Sequence, residues 1–289
     1  MGHSWIEIDG ERLLQNVRLF RKILGSDTKL MAVVKANAYG HGARLVSSLL
    51  RGRVDWFGVD SLEEAEEIAS AGVSEPVLIM GHTEPADAER IVSGGFRQVL
   101  FRRDVAEAIS RSATKQKTIA RVHVKVETGL NRLGVDPGAI AGLVERLEGL
   151  SVEGLYTHFA DVEDPVSTLY QRQVDALREA AATFDPSFLH AFPTAGALLH
   201  PAESLGIARV GIGLYGIWPS PAIRRGAAGI GTLAPVLAWK SRVAHVKTVP
   251  AGGTVGYDVT YRASTSRRIA VVPVGYADGF DRGLSNRGS

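Results

Sequence analysis

Short apolar runs alternate with longer amphipathic segments over most of the chain. Each run is four to seven residues long and carries apolar residues on both faces, which is typical of strands buried in a parallel sheet. The eight predicted strands are Leu30–Lys35, Trp56–Asp60, Pro76–Gly81, Gln98–Phe101, Val122–Glu127, Val152–His158, Phe188–Phe192 and Ile207–Gly211. Eight strand–helix repeats in series predict an α/β protein with a (β/α)8 barrel of the TIM type.

The segments between these strands predict helices. In Ser61–Ala69, for example, Ser61 and Glu64 have the spacing of a capping box, which favours a helix that begins at this point. One more helix is predicted over Glu11–Leu24, before the first barrel strand.

The rhythm changes beyond residue 216, where β-branched segments follow one another without helices between them. These segments are Val236–Val249, Thr254–Tyr261 and Ile269–Tyr276. They predict a second, all-β domain that the N-terminal strand joins. The expected domains are therefore a barrel over 9–232 and a partial β domain over 233–289, with 1–8 added to the latter.

Composition narrows the class of protein. The chain has 289 residues, with 33 Lys and Arg against 31 Asp and Glu, so nothing in its charge favours a nucleic acid or a membrane surface as partner. No apolar run approaches the roughly 18 residues of a membrane span, and no signal-peptide pattern opens the chain. The absence of cysteine excludes disulfides and thiolate metal sites, and no metal site is predicted. A cytoplasmic enzyme with a small-molecule substrate fits this composition.

Polar residues fall at or just beyond the C-terminal ends of the predicted strands. In a barrel of this type, that rim is where catalytic groups are placed. The residues concerned are Lys35, Asp60, His82, Glu127, His158 and Thr194.

The segment Ala32–Gly42 carries the most chemical information. Lys35 ends a buried strand, where desolvation can lower the pKa of its amine and make it nucleophilic. Tyr39 returns to the same side if a helix begins there, and Gly40 and Gly42 allow backbone N–H groups to approach an anion. A core strand with a lysine at its solvated tip fits the same residues. As a whole string, the segment resembles the pyridoxal-phosphate lysine motif of the alanine racemase family.

Two segments of the barrel extend the resemblance. Val124–Gly134 is similar to the family segment whose arginine supports the phenolic oxygen of the cofactor, and Arg132 matches that arginine. Lys125 matches a lysine that is carbamylated in some relatives. Tyr156–Phe159 matches the segment of the active-site histidine, which implies a role for His158 in orienting its neighbours.

The segment Arg209–Gly216 is the second strong match. Gly211 and Ile212 would present backbone N–H groups to the cofactor phosphate. Arg209 corresponds to the arginine that faces the pyridine nitrogen. A guanidinium, with a pKa above about 12, does not readily give up a proton, so the ring is a weaker electron sink, which suits reprotonation at Cα. Thr194 retains a hydroxyl for the phosphate, although Pro193-Thr194 stands where the family usually has Asn-Ser.

The predicted β domain also carries family motifs. Thr254–Tyr257 matches the segment of the second catalytic base, so the resemblance implies that Tyr257 is this base. It would need a nearby cation, for which His158 and Arg209 are the candidates. Gly275–Gly279 matches a segment in which Tyr276 would contribute to substrate binding.

The resemblance implies an alanine racemase that holds pyridoxal 5'-phosphate on Lys35 and interconverts L- and D-alanine with Lys35 and Tyr257 as the two bases. It further implies a homodimer with composite active sites, which supplies D-alanine for the cell wall. A racemase of another amino acid, such as serine or lysine, is one alternative, and a non-catalytic carrier of the cofactor is another. Family members continue for several strands beyond the Leu284–Gly288 motif, so low activity is expected of a chain truncated here.

Overall fold

A computed structural model describes residues 3–164, 167–182 and 184–287. Gly288 of the last sequence motif lies outside the described residues. The chain divides into two compact units, one made of Asp9–Val236 and the other of Met1–Ile8 with Leu237–Ser289.

The larger unit contains eight parallel strands in a single sheet. They are β2 (Lys29–Val33), β3 (Trp56–Val59), β4 (Val77–Ile79), β5 (Arg97–Leu100), β6 (Ala120–Lys125), β7 (Leu150–Tyr156), β8 (Phe188–His190) and β9 (Ile207–Val210), numbered after β1 (Ser4–Ile8) of the smaller unit. Their order is β8-β7-β6-β5-β4-β3-β2-β9. At the remaining edge, the Arg209 N–H donates to the Phe192 carbonyl at 2.9 Å, which brings the last two strands together. The predicted barrel is confirmed, with each strand within a few residues of its predicted bounds.

Helices connect these strands as the amphipathic segments predict. They are α1 (Gly10–Leu24), α2 (Ala43–Leu50), α3 (Leu62–Ser70), α4 (Ala88–Ser93), α5 (Arg103–Lys115), α6 (Ile140–Val144), α7 (Leu169–Ala181), α8 (Thr194–Leu199) and α9 (Pro221–Gly226). Ser61 caps α3, since its hydroxyl accepts from the Glu64 N–H at 3.3 Å. The reciprocal half of the predicted capping box is wrong. The Glu64 carboxylate accepts from the Asp60 and Ala36 N–H groups instead, because the strand ends lie within its reach.

Large apolar side chains fill the interior of the barrel. The central cluster consists of Met31, Trp56, Leu78, Val99, Tyr156 and Ile207, with Met80, Phe101 and Phe188 packed against it. These cluster residues come from β2, β3, β4, β5, β7 and β9, so the interior is a packed core rather than a channel. The open space therefore lies at the C-terminal ends of the strands.

The smaller unit consists of short antiparallel pairs. Its strands, besides β1, are β10 (Leu237–Ser241), β11 (His245–Val249), β12 (Thr254–Val255), β13 (Tyr261–Arg262) and β14 (Arg267–Val271). β1 pairs with β10 from Ser4 opposite Ser241 to Ile8 opposite Leu237, as the sequence predicts. β11 pairs with β14, and β12 with β13.

One predicted strand of the smaller unit differs from the structure. The segment Thr254–Tyr261 is not one strand but a pair of short strands around a 3₁₀ turn over Tyr257–Val259. Gly256, with φ of 81°, takes a left-handed conformation that breaks the extended run. In neither unit do the described helices include one that is long and apolar enough to cross a membrane.

Candidate active site

A cavity of about 980 Å³ opens at the C-terminal ends of the barrel strands. Predicted site residues from five separate segments of the barrel unit meet in its wall, namely Lys35, Tyr39, Arg132, His158, Thr194, Arg209, Gly211 and Ile212. Three further rim residues, Asp60, His82 and Lys125, also line it. The cavity therefore lies where barrel enzymes place their chemistry.

The turn that follows Lys35 at the end of β2 has an unusual backbone conformation. The sequence leaves open a helix start here, but Ala36 through Tyr39 have φ between 51° and 53°, which is a left-handed turn. Each such residue costs about 1–2 kcal/mol. The turn is held by the Asn37 carboxamide, which accepts from the Ala43 N–H at 2.8 Å, and by the Gly40 and Gly42 N–H groups, which donate to the Asn37 carbonyl. Strain of this kind is typical of functional sites.

The Lys35 amine faces a carboxylate across the cavity rim. Its Nζ lies 3.2 Å from Oδ1 of Asp60, and the Lys35 side chain is 40% exposed. Glu64 ties the two segments together, since its carboxylate accepts from the Ala36 N–H at 2.6 Å and from the Asp60 N–H at 2.7 Å. The amine is thus held at a fixed place and is open to a ligand.

An anion cradle lies on the opposite wall. The Thr194 hydroxyl accepts from the Gly211 N–H at 3.1 Å and from the Gly213 N–H at 3.4 Å, so its own hydrogen is directed elsewhere. The Ile212 N–H has no partner among the described residues. A Cβ on Gly211 would lie 2.7 Å from the Tyr39 hydroxyl, so only glycine admits that hydroxyl to the cradle. Two hydroxyls and the free Ile212 N–H suit a phosphate. The Gly211 N–H, which the sequence analysis also expects to face the phosphate, donates to Thr194 instead.

Pro193 leaves this cradle intact. It precedes α8 as the N-cap residue in an extended conformation, and Thr194 follows as the first residue of the helix. The Pro193-Thr194 departure from the family pattern therefore retains the hydroxyl contact and sacrifices no N–H that the helix needs.

Arg209 lies on β9 beneath the cavity and is only 4% exposed. Its Nη2 donates to the Thr157 carbonyl at 2.8 Å and to the Ala191 carbonyl at 3.0 Å. Nη1 donates to Nδ1 of His190 at 2.9 Å. None of the described residues accepts from Nε or from the second hydrogen of Nη1, so the guanidinium has N–H groups left for an acceptor in the cavity, the Nε–H among them. Burial lowers the pKa of Arg209 to about 10, so it stays charged at neutral pH.

His158 is neutral in this environment. Burial, followed by the nearby Arg209 and Arg132, lowers the pKa of His158 to about 3. Its Nδ1 accepts from Nη2 of Arg209 at 3.2 Å. The prediction that His158 offers a cation is therefore wrong, because a buried imidazole beside two guanidinium groups does not take up a proton at neutral pH. Arg209 is the cation of this pair.

Lys125 and Arg132 add positive charge to the wall. Lys125 is 3% exposed, and burial together with Arg132 and Arg209 lowers the pKa of its amine to about 8. Arg132 lies on the exposed loop after β6. Glu127, another rim residue of the sequence analysis, does not line the cavity. It accepts from the Gly129 N–H at 2.6 Å and stabilises the loop that carries Arg132.

The two predicted tyrosines of the β domain lie in the smaller unit. Tyr257 begins the 3₁₀ turn over Tyr257–Val259 and is 94% exposed. Tyr276 begins another 3₁₀ turn and is 66% exposed. The residues that line the barrel cavity all belong to the larger unit.

Several residues of the site have no assigned role in the sequence analysis. Asp60 is predicted only as a rim residue and Glu64 only as a cap, although both fix the Lys35 turn. His190 lies inside the predicted strand Phe188–Phe192 without a role, yet it accepts from Arg209. A polar residue within an apolar strand, as at His190, is the signal that identifies such a partner.

Fold and site define a class of protein, a (β/α)8 barrel with a lysine amine and an anion cradle in one cavity. Comparison with known proteins identifies the family. Residues 8–219 match the model of the alanine racemase N-terminal domain, and residues 236–289 match that of the C-terminal domain. The chain belongs to the alanine racemase family.

Individual relatives agree with this assignment. The alanine racemase of Symbiobacterium thermophilum is 38% identical over 296 residues, which cover 99% of this chain and 77% of the relative. The alanine racemase structure from D-cycloserine producing Streptomyces lavendulae has a TM-score of 0.91 at 30% identity and covers 100% of this chain and 78% of its own. The alanine racemase structure from Bacillus anthracis with bound L-Ala-P has a TM-score of 0.87 at 31% identity. The match covers 98% of this chain and 75% of the other chain.

Proposed function

We propose that this protein interconverts L- and D-alanine with pyridoxal 5'-phosphate as cofactor. The observation that carries the proposal is the joint position of the Lys35 amine, the Thr194–Gly211–Ile212 cradle and the buried Arg209 around one cavity. We propose the same two domains that the sequence predicts. The barrel, over about 9–232, would bind the cofactor and the β domain would supply a base.

The residues present fit this cofactor. Thr194, Tyr39 and the Ile212 N–H would hold its phosphate, and the Nε–H of Arg209 would donate to its pyridine nitrogen. Lys35 would hold it covalently, and Arg132 would stabilise its phenolic oxygen. When bound, pyridoxal phosphate supplies an electron-accepting ring that stabilises negative charge at Cα of an attached amino acid.

The protein's own groups would move the proton. The Lys35 amine would take or return the Cα proton on one face. Because Arg209 keeps its proton, it would donate a hydrogen bond to the pyridine nitrogen without protonating it, which would favour return of a proton to Cα. His158, held by Arg209, orients this wall without titrating at neutral pH.

Tyr257 is proposed as the base on the opposite face, and Tyr276 as a substrate contact. In a homodimer with composite sites, both would reach the barrel cavity of a partner subunit. Their exposure, and that of the apolar side chains around them in the smaller unit, supports such an assembly. A cytoplasmic location is part of the same proposal.

Alanine is favoured among the possible substrates. Solved relatives include one with bound L-Ala-P and one in complex with cycloserine. Racemisation of serine or lysine is the second candidate, because the Asp60 carboxylate in the cavity wall could accept from a longer polar side chain. A non-catalytic cofactor carrier is less favoured, since residues 236–289 match the C-terminal domain of the racemases.

The test is a racemisation assay on L-alanine, L-serine and L-lysine, with the purified protein and added pyridoxal phosphate. L-alanine should turn over fastest. Lys35→Ala should abolish racemisation and the visible absorption of the bound cofactor, because the covalent attachment and one base are lost together. Lys115→Ala is the matched control, because Lys115 lies on the exposed side of α5 and pairs with Glu89, outside the cavity. Normal turnover in Lys35→Ala would refute the proposal.

A further inference from the structure

A row of buried polar side chains crosses the interior of the barrel and ends at Arg209. Nη1 of Arg209 lies 2.9 Å from Nδ1 of His190, and Nε2 of His190 lies 2.8 Å from Nδ1 of His123. Nε2 of His123 lies 3.5 Å from Oε2 of Glu153. Both imidazoles are fully buried, and the Glu153 side chain is 15% exposed. This row runs from Arg209 in the cavity wall to the carboxylate of Glu153 on β7.

The chemistry of the end groups fixes the direction of every bond. A guanidinium only donates, so Nδ1 of His190 must accept and its Nε2 must carry the hydrogen. That hydrogen points to Nδ1 of His123, so the hydrogen of His123 lies on Nε2. This Nε2–H faces Oε2 of Glu153 at 3.5 Å, which is a charge–dipole contact rather than a hydrogen bond, and Nε2 has no hydrogen-bond partner among the described residues. The pattern requires both rings to be neutral and in the same tautomer. Burial favours this, since it lowers the pKa of both His190 and His123.

The backbone is adapted to this row at two consecutive positions. Between β6 and β7, Val122 pairs with Val152 but His123 pairs with Gly154, so Glu153 is the extra residue of a β-bulge. A bulge re-aims the side chain of its extra residue. A Cβ at position 154 would lie 2.5 Å from Nδ1 of His123, so the ring fits only against glycine.

Aromatic side chains enclose the row on both sides. Tyr156 stacks on His190 with ring centroids 4.7 Å apart, and Trp56 packs edge-on against His123 at 5.4 Å. Water is therefore kept from the two imidazoles, and the hydrogen bonds between them act in a medium of low polarity. Arg97 holds Glu153 from outside, with Nε 3.3 Å from Oε2.

Arg209 needs a counter-charge because a buried cation without one is costly. None of the described carboxylates is paired directly with its guanidinium. We propose that Glu153, His123 and His190 form a positioning relay that supplies this charge at a distance and holds Arg209 with its Nε–H toward the cavity. The proposal rests on the proposed function only for the identity of the acceptor in the cavity. The tautomers are a property of the protein alone.

The first experiment uses the full chain without cofactor, labelled with ¹⁵N in histidine. Long-range ¹H–¹⁵N correlation spectra distinguish a neutral Nε2–H ring from the other tautomer and from the cation. Signals of His123 and His190, assigned with His123→Gln and His190→Gln, should both show the neutral Nε2–H form from pH 8 to pH 5. A charged ring or the opposite tautomer at either position in the unmodified protein overturns the proposal.

Glu153→Gln then removes the charge and preserves the shape. Because Arg209 still fixes the direction of the row, His123 should keep its Nε2–H tautomer, and loss of the carboxylate charge should shift its Nε2–H signal. An unchanged spectrum would show that the carboxylate only fills space and would overturn the relay. Arg121→Gln is the matched control, since it removes a cation 3.9 Å from the other oxygen of Glu153 and touches no atom of the row. Its spectrum should match that of the unmodified protein.

A second readout connects the relay to turnover. With cofactor and L-alanine, Glu153→Gln should lower kcat about 10-fold, in the range seen when outer partners of a ligand-orienting histidine are lost. KM should change less than about two-fold because the cavity wall is unaltered, and a KM effect without a kcat effect counts against a positioning role. Absence of racemisation in the unmodified protein would refute the proposed function and leave the tautomer result standing.

Discussion

The strands of the two units differ in how far they are buried. In the barrel, strands such as β3 are buried along their whole length, and the apolar interior is filled by residues from all sides. In the smaller unit, β11 is exposed at four of its five positions. Most of the large apolar side chains that are exposed in the chain belong to this unit, among them Trp239, Val246, Tyr257 and Val271.

This difference bears on which unit is stable by itself and which unit has a face that a partner must cover. A sheet that curls on itself covers both of its faces and needs no partner, whereas short antiparallel pairs leave one face to be covered. An apolar face of this size marks an interaction surface. Under the proposed function, the barrel alone would bind the cofactor, while the contribution of the smaller unit to catalysis would depend on the proposed homodimer.

The largest expected effect is a loss of kcat that tests whether the smaller unit supplies a base while the barrel binds the cofactor. Tyr257→Phe should lower kcat about 1000-fold, as expected for loss of one general base, and should leave the affinity for pyridoxal phosphate unchanged because the cofactor groups lie in the barrel. Turnover and cofactor titration by absorbance measure the two quantities. Tyr261→Phe, in the same unit, is the control and should retain activity. Loss of cofactor affinity in Tyr257→Phe would contradict this division of roles.

Next in size is the difference in packing. Leu78→Ala removes a fully buried side chain from the barrel core and should lower the free energy of unfolding by about 3 kcal/mol. Val246→Ala, at a position 44% exposed, should cost less than about 1 kcal/mol. Urea unfolding measures both. A cost above about 2 kcal/mol at Val246 would mean that this face is buried in solution, and dependence of that cost on protein concentration would identify a second copy as its cover.

The anion cradle predicts a smaller change that is confined to the barrel. Gly211→Ala would place a Cβ 2.7 Å from the Tyr39 hydroxyl, so this ring must move away from the cradle. The affinity for pyridoxal phosphate should fall about 10-fold, the size of one lost charge-assisted hydrogen bond. Gly229→Ala is the matched control, because a methyl group at that position would meet no described atom within 4 Å and the affinity should not change. Equal affinity in the two variants would exclude Tyr39 from the phosphate site.

The smallest effect concerns pH and again belongs to the barrel. Burial, followed by the charge of Arg209, lowers the pKa of His158 from 6.5 to about 3. Between these two pH values, His158 therefore binds a proton in the unfolded chain but not in the folded chain. Stability from this group is present above pH 6.5 and is lost as the pH falls toward 3, by up to about 1.4 kcal/mol per pH unit. In cofactor-free protein between pH 6.5 and 5, His158→Gln should reduce the slope of unfolding free energy against pH. His245→Gln, on exposed β11, should not, and an equal slope in all three proteins would contradict the burial of His158 in neutral form.

Much of the barrel could be predicted from the sequence because strand and helix periodicity is encoded in neighbouring residues. The eight buried strands, α1, the pairing of β1 with the smaller sheet and the residues that meet in the cavity all follow from local patterns and motifs. The 3₁₀ turn at Tyr257 escapes the pattern, because β-branched neighbours suggest a strand and only the left-handed Gly256 interrupts it.

Sequence by itself therefore determined the kind of fold, the family and the chemical groups available, with Lys35 and Arg209 foremost among them. Tertiary structure alone decided how those groups are held. Asp60 meets Lys35 across 25 residues, and His123 meets His190 across 67 residues, through strand register and a bulge that no local pattern encodes. Even the charge of His158 is a tertiary property, because an imidazole is neutral or cationic at neutral pH according to what surrounds it.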